Sequence, residues 1–238
     1  MRGNIRSEMN TVDLRLDWCS YQAAKYAVEH WHYSKTMPAP KRTMVGVWED
    51  GKFIGAVVFS WGANHNLSKA FRLEMTECVE LARVALNKHR SPVSKILAIA
   101  IRMLKKQSPG LRLIVSYADQ RVNHYGIIYQ AAGWVYSGET ADKFDYITED
   151  GRVLHRRSYT GKNFYRAKLS VPVMATKTKS PRKYRYLYPL DAAMRAQIAP
   201  LARPYPKRGT GEIDNAPGSN RETGGASPTV PLLKVDYA

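Results

Sequence analysis

Asp119 ends the stretch Leu111 to Asp119, in which Leu111, Leu113, Val115 and Tyr117 alternate with Arg112, Ile114, Ser116 and Ala118. That pattern predicts a strand largely buried on both faces. It places an acid at the strand's carboxyl end, where open α/β sheets keep their ligands. A short helix is predicted next, capped by Asn123, carrying Tyr125, Ile128, Tyr129 and Ala132 on one stripe and stopped by Gly133. An acid at a strand end and a tyrosine on the following helix can face one cleft and exchange protons there. Arg83 is the odd member of a second predicted strand, within Leu73 to Leu86, whose face otherwise reads Val79, Leu81 and Ala85. A guanidinium buried there needs an anion, either Asp119 or a ligand phosphate or carboxylate. Plainer readings stand beside these: Asp119 capping a turn, Tyr129 as a core aromatic, Arg83 reaching solvent from an edge strand.

These residues need elements to hold them. Ser20 caps a predicted helix with Tyr21, Ala24, Val28 and Trp31 on one face, which runs into His30-Trp31-His32-Tyr33-Ser34-Lys35 and is broken by Pro38 and Pro40. Two β-rich runs around Asp50-Gly51 predict a hairpin, and Asn64 to Lys69 a polar loop. Ser91-Pro92 opens a helix with Val93, Ile96, Leu97, Ala100, Ile101 and Leu104 as its apolar stripe. Val135 to Glu139 is a further strand. Phe144 to Ser158 is a second hairpin, turning at Glu149 to Arg152, and Asp191 to Leu201 a short helix. The organisation expected is a frayed start (1–14), a catalytic domain (15–170), a basic aromatic extension (171–208) and a disordered tail (209–238).

The formal net charge is +17, and residues 152–208 hold 15 Lys/Arg against a single acid, Asp191. Charge gathered this way predicts a polyanionic partner. Within it Arg182, Lys183 and Arg185 interleave with Tyr184 and Tyr186, a pattern suited to phosphate contact beside base stacking. Lys35 is a further candidate phosphate contact, or a solvated surface lysine. No apolar run is long enough to span a bilayer, and the amino terminus has no signal-peptide core. Cys19 and Cys78 make neither a disulfide framework nor a metal pair by spacing. A reducing, cytoplasmic setting is the expectation. His32, Tyr33, Asp119 and His124 together offer nitrogen and oxygen ligands to a hard or borderline metal such as iron, without the tight spacing of a dedicated metal motif.

The order hairpin, strand, Ser-capped helix, strand, short helix with Tyr129-x-x-x-Gly133-Trp134, strand resembles the GNAT acyltransferase fold: a mixed central sheet flanked by helices, α/β in class. Within it the chain resembles the Mom DNA-modification proteins of Mu-like phages. The residues carrying this are His32-Tyr33-Ser34-Lys35, Glu80-Leu81-Ala82-Arg83, Tyr117-Ala118-Asp119, His124-Tyr125-Gly126 and Tyr129 to Trp134. The resemblance implies an enzyme of a phage-infected bacterium that carbamoylmethylates adenine N6 in double-stranded DNA, the base flipped from the stack, as protection against restriction. It puts the catalytic roles on His32, Tyr33, Arg83, Asp119 and Tyr129. It also implies acetyl-CoA or a related acyl or aminoacyl donor, held by Arg90, Ser91 and Ser94. The Gly-rich pyrophosphate loop usual in GNAT enzymes is replaced here by Arg90-Ser91-Pro92-Val93-Ser94. The alternatives are an ordinary acetyltransferase of a protein or small amine, and a non-catalytic DNA-binding protein on the same fold. The oligomeric state is left open, a homodimer among the options.

Overall fold

Asp50 and Gly51 both adopt positive φ, 48° and 75°. That pair of conformations suits the tight two-residue turns that follow the natural twist of a hairpin. The structure is a computed structural model that describes residues 12–38, 41–61, 66–155 and 174–207. Around this turn β2 (Arg42–Glu49) and β3 (Lys52–Ser60) pair antiparallel, as the sequence predicts. The sheet extends to an edge strand on one side, β1 (Leu14–Trp18), in which Leu14, Leu16 and Trp18 alternate with Arg15 and Asp17, and which the sequence reading left unassigned. On the other side come β4 (Cys78–Leu86), antiparallel to β3, and β5 (Leu113–Asp119), parallel to β4.

The parallel pairing of β4 and β5 covers only Cys78 with Leu113, Val79 with Ile114 and Glu80 with Val115. Beyond that the two strands are no longer paired, although β4 runs on to Leu86 and β5 to Asp119. β4 also carries a bulge: Leu81 faces Phe59 and Arg83 faces Val58, which leaves Ala82 as the extra residue. A bulge shifts the phase of everything after it. Val79, Leu81, Val84 and Leu86 therefore lie in one core, and Ala85 in the core on the other face. The expected single face of Val79, Leu81, Arg83 and Ala85 is thus corrected. Arg83 is no odd member of an apolar set; the bulge takes it out of that set.

Two helices cover the two faces. α1 (Tyr21–Trp31) begins at Ser20, whose hydroxyl accepts from Ala23 N–H, and buries Ala24, Ala27 and Val28 on Ala56, Val58 and Ala85. α2 (Val93–Gln107) buries Ile96, Leu97, Ala100, Ile101 and Leu104 against the opposite face. Each buried Val, Ile or Leu among them contributes about 1.5–3 kcal/mol relative to exposure, and each alanine less. Asn123 does not cap the next helix. It ends a 3-10 turn at Gln120–Val122 with φ 53°, and α3 (Ile127–Ala131) starts after Gly126. Gly126 has φ 74°, and a Cβ there would meet the Tyr186 ring at 2.3 Å, so only glycine allows α3 to start this close.

The division at residue 170 is also corrected. β10 (Lys183–Pro189) is an internal strand, antiparallel to β5 on one side and to β6 (Val135–Glu139) on the other. The main sheet runs β1-β2-β3-β4-β5-β10-β6. β7 (Lys143–Thr148) forms a smaller sheet with β8 (Val153–His155) and β9 (Ala175–Ser180). The predicted second hairpin is its β7–β8 part; from residue 156 that prediction lies outside the described residues. α4 (Ala192–Ile198), capped by Asp191, sets Met194 and Ile198 into a core with Leu113, Val115 and Leu187. The frayed start up to residue 11 and the tail from residue 208 fall outside the described residues. Among the described residues, no helix is long and apolar enough to cross a membrane.

Candidate active site

A cleft opens where β4 and β5 part. His32 and Tyr33 line it from the end of α1, Ala82 and Val84 from β4, Tyr117 and Ala118 from β5. His124, Gly126, Ile128 and Tyr129 complete it from the segment after β5. Its rings form a row: His32 lies 4.4 Å from Tyr33 between centroids, and Tyr33 meets His124 edge-on at 4.9 Å. His32 and His124 are buried, whereas Tyr33, between them in the row, is exposed. Four residues that the sequence reading singled out, from two distant segments, thus share one cleft: His32, Tyr33, His124 and Tyr129.

His32 is held by its own loop. The Ser34 backbone N–H donates to His32 Nδ1 at 3.1 Å, and Ser34 Oγ lies 2.8 Å from the same nitrogen. Nδ1 is therefore an acceptor, so the neutral ring carries its proton on Nε2. Burial, then the nearby Arg83 charge, pushes the His32 pKa down to about 2. His32 is a fixed neutral hydrogen-bond donor and a poor proton acceptor.

Ser116 Oγ lies 2.8 Å from Leu81 O and 2.7 Å from Tyr129 Oη, so it bridges the gap between the diverging strands. A carbonyl only accepts, and Ser116 has a single proton. When that proton goes to Leu81 O, Tyr129 donates to Ser116 Oγ. Burial pushes the Tyr129 hydroxyl up to about 12, against the lowering effect of Ser116. Tyr129 therefore keeps its proton and is a hydrogen-bond donor, not a phenolate.

Arg83 projects from the bulge toward the loop after α1. Its Nε donates to Thr36 O at 3.0 Å and its NH1 to Ala82 O at 2.7 Å. The anion expected for it at Asp119 is paired elsewhere: Asp119 Oδ2 lies 2.7 Å from Lys183 Nζ. Asp119 Oδ1 accepts from Arg121 N–H at 3.1 Å and caps the 3-10 turn. Asp119 is 2% exposed and does not line the cleft. The turn-capping reading is the one the structure realises, with a buried ion pair added. Lys183 is accordingly the counter-ion of Asp119.

Glu80, which the sequence reading placed in the family motif but gave no role, is the carboxylate nearest this chemistry. It is half-buried on β4, two residues before the bulge, and no hydrogen bond or ion pair among the described residues engages it. Burial raises its pKa, opposed by the charges of Arg83, Lys183 and Lys143. Its own charge reaches Tyr117 and Tyr129, both in the cleft wall. The signal was an acid in an apolar strand three residues before Arg83. Ser116, a lone hydroxyl in an apolar strand, was an equally legible one.

The proposed metal set is not assembled. Nδ1 of His32 is committed to Ser34, Asp119 to Lys183 and Arg121, and the described residues contain no group of three His, Cys, Asp or Glu placed to hold a metal ion. The proposed donor site does not fit a pyrophosphate either. Arg90 N–H donates to Glu49 Oε2 at 2.9 Å and Ser91 N–H to Glu49 Oε1 at 2.7 Å. The Arg90 guanidinium pairs with Asp50. Pro92 itself stands at the N-cap of α2, with no side-chain cap bond, so Ser91 is not the cap the sequence suggested.

The expected DNA contacts are largely engaged internally. Tyr186 is fully buried with its hydroxyl on Tyr125 O, and Tyr184 stacks on Tyr125 at 6.0 Å. Arg182 forks onto Asp142 at 2.6 and 2.9 Å and reaches Glu139 at 3.2 Å. Arg185 Nε donates to Ser137 Oγ at 2.8 Å, and its guanidinium lies over Phe71. Interleaved charges and tyrosines here are the register of an internal strand. Lys35 is exposed, with φ 49°, and its Nζ donates to His30 O near the end of α1.

The family model described as the Mom protein family matches residues 13–207. The methylcarbamoylase mom of Escherichia phage Mu is 24% identical over 136 residues, an alignment covering 56% of this chain and 56% of that protein. The chain thus aligns with about half the length of that relative. Among solved structures, a Bacillus subtilis acetyltransferase in complex with CoA is similar over 76% of this chain and 99% of its own, at 13% identity and TM-score 0.43. FeeM, an N-acyl amino acid synthase from uncultured soil microbes, is similar over 79% and 95%, at 11% identity and TM-score 0.46.

Proposed function

The chain belongs to the Mom protein family, and on that premise we propose that it is a DNA-modifying transferase that carbamoylmethylates adenine N6 in duplex DNA. The observation that carries this is the convergence of His32, Tyr33, His124 and Tyr129 on one cleft at the parting of β4 and β5. A wall of rings beside a few polar atoms suits a planar base taken out of the stack.

The adenine N6 amine is a weak nucleophile because its lone pair is drawn into the ring. As the N6–C bond forms, the bond from that carbon to the donor's leaving group breaks, and an N6 proton must leave. Glu80 takes that proton in our reading: it stands behind the cleft wall on β4, its charge reaches Tyr117 and Tyr129, no hydrogen bond among the described residues occupies its carboxylate, and a raised pKa makes it the better acceptor. His32 holds a carbonyl or ring nitrogen through Nε2–H. Tyr129 and Ser116 form the relay that returns a proton to the departing group. Arg83 fixes the loop bearing His32 by its bond to Thr36 O, and its charge favours the ionised form of Glu80. No step is assigned to Asp119.

Nucleosides from the DNA of cells expressing the protein, separated by mass spectrometry, test this. A new adenine derivative, lost in Glu80→Gln, is the expected result. Unmodified DNA alongside acylation of a peptide or polyamine panel would replace the reading with an amine acyltransferase.

A further inference from the structure

We propose that Glu49 closes the turn ahead of α2 to diphosphates, so that the donor of the transferred group, coenzyme A included, is not anchored there.

A turn that leads into a long helix offers backbone N–H groups and a favourable dipole, and it is a natural seat for phosphate. In this chain the seat is taken by a side chain of the protein. Glu49, the last residue of β2, places one carboxylate oxygen on Arg90 N–H and the other on Ser91 N–H, at 2.9 and 2.7 Å. Glu49 is 5% exposed, so it is part of the interior and not a flap over it. The next residue is Pro92, which has no N–H to offer. The neighbouring cation is occupied as well, because Arg90 pairs with Asp50 in the same hairpin turn. Two adjacent acids, Glu49 and Asp50, thus fasten the β2–β3 turn to the start of α2. They use the two kinds of group, amide and guanidinium, that a diphosphate would need.

Energetics favour the internal anion. A carboxylate accepting two amide N–H bonds is a charge-assisted arrangement. Burial raises the Glu49 pKa, but the bonds from Arg90 and Ser91 and the charge of His89 outweigh it, so the group is held below its ordinary value and stays ionised. An incoming diphosphate would have to break both bonds and then sit beside the displaced like charge. The inference concerns the donor alone and stands or falls whatever the acceptor is.

Amide hydrogen exchange of the full chain, with and without coenzyme A and with inorganic diphosphate, decides it. Exchange at Arg90 and Ser91 is expected to be unchanged by either probe. Added protection of those two amides at micromolar coenzyme A overturns the proposal. Calorimetric titration of Glu49→Gln sharpens it: removing the charge and one acceptor oxygen should raise affinity for inorganic diphosphate about tenfold or more over wild type. Equal affinity in the two proteins counts against the closure. If Glu49→Gln does not fold, the wild-type exchange experiment still gives the answer. Modification of DNA plays no part in either readout, so this proposal and the functional one fail separately.

Discussion

The end of β5 and the start of β4 lie in the same sheet and each carries an acid, yet the two acids are treated in opposite ways. Asp119 is sealed, holding Lys183 with one oxygen and the Arg121 amide with the other. Glu80 is half-buried and has no hydrogen-bonded or ion-paired partner among the described residues. The first acid does what a buried charge must do to be tolerated. The second is kept available: its burial is only partly offset by the charges of Arg83, Lys183 and Lys143, and it lies beside cleft tyrosines that feel its charge. The contrast teaches that position at a strand end does not make an acid chemical; unspent hydrogen-bonding capacity next to a cleft is the better sign.

Substitutions can break that contrast. Glu80→Gln should lower adenine modification by about 100-fold or more, the range for loss of a general base, with a thermal midpoint unchanged or raised. Full activity in this variant would undo the contrast. Asp119→Ala should instead cost about 1–3 kcal/mol of stability, read by denaturant melts. It leaves an ammonium facing a buried void, and the half exposure of Lys183 moderates the loss. Asp119→Ala combined with Lys183→Met should regain part of that stability. If stability returns and modification does not, the Asp119 carboxylate has a chemical role after all. Ser116→Ala should cost about 1–2 kcal/mol, because Leu81 O and the Tyr129 hydroxyl both lose a buried partner.

The pH dependence sharpens the same contrast. Glu80 has a raised pKa, so modification should rise with pH through a step above the ordinary glutamate value of 4.5, and that step should vanish in Glu80→Gln. His32 works in the opposite sense on stability. Its folded pKa lies near 2 against an ordinary 6.5. The unfolded chain therefore binds the extra proton between those values, and stability should fall as pH drops below about 6.5. His32→Gln should flatten that part of the melting profile. The smallest effect is expected at Arg182→Gln. Since its guanidinium already serves Asp142 and Glu139, DNA affinity in a salt titration should change less than about twofold; a larger drop would return Arg182 to the nucleic-acid surface.

Much of the frame was legible in the residues. The Asp50-Gly51 hairpin, the Ser20 cap, the apolar stripe of Ile96 to Leu104 and the strand ending at Asp119 each follow from local rules, and each is present. Three things were not legible. The bulge at Ala82 is set by pairing with β3, and it alone moves Arg83 out of the apolar set. The Lys/Arg–Tyr run looked like a nucleic-acid arm because alternation fits both an exposed basic strand and one threaded into a sheet. The partners that settle it, Tyr125, Ser137, Glu139 and Asp142, lie about 40 to 60 residues away. Glu49 sits beside a turn in the sequence, and nothing local tells that its oxygens close another helix.

The sequence by itself determined which segments become strands and helices, and which family motif they carry, because periodicity, caps and turn residues act over a few neighbours. The tertiary structure alone decided which charges are spent on one another and which remain for chemistry. Asp119 meets Lys183, and Glu49 meets Arg90 and Ser91, across 41 to 64 residues of chain. Charge satisfaction is a matter of distance in space and burial, and neither is fixed until the sheet has closed.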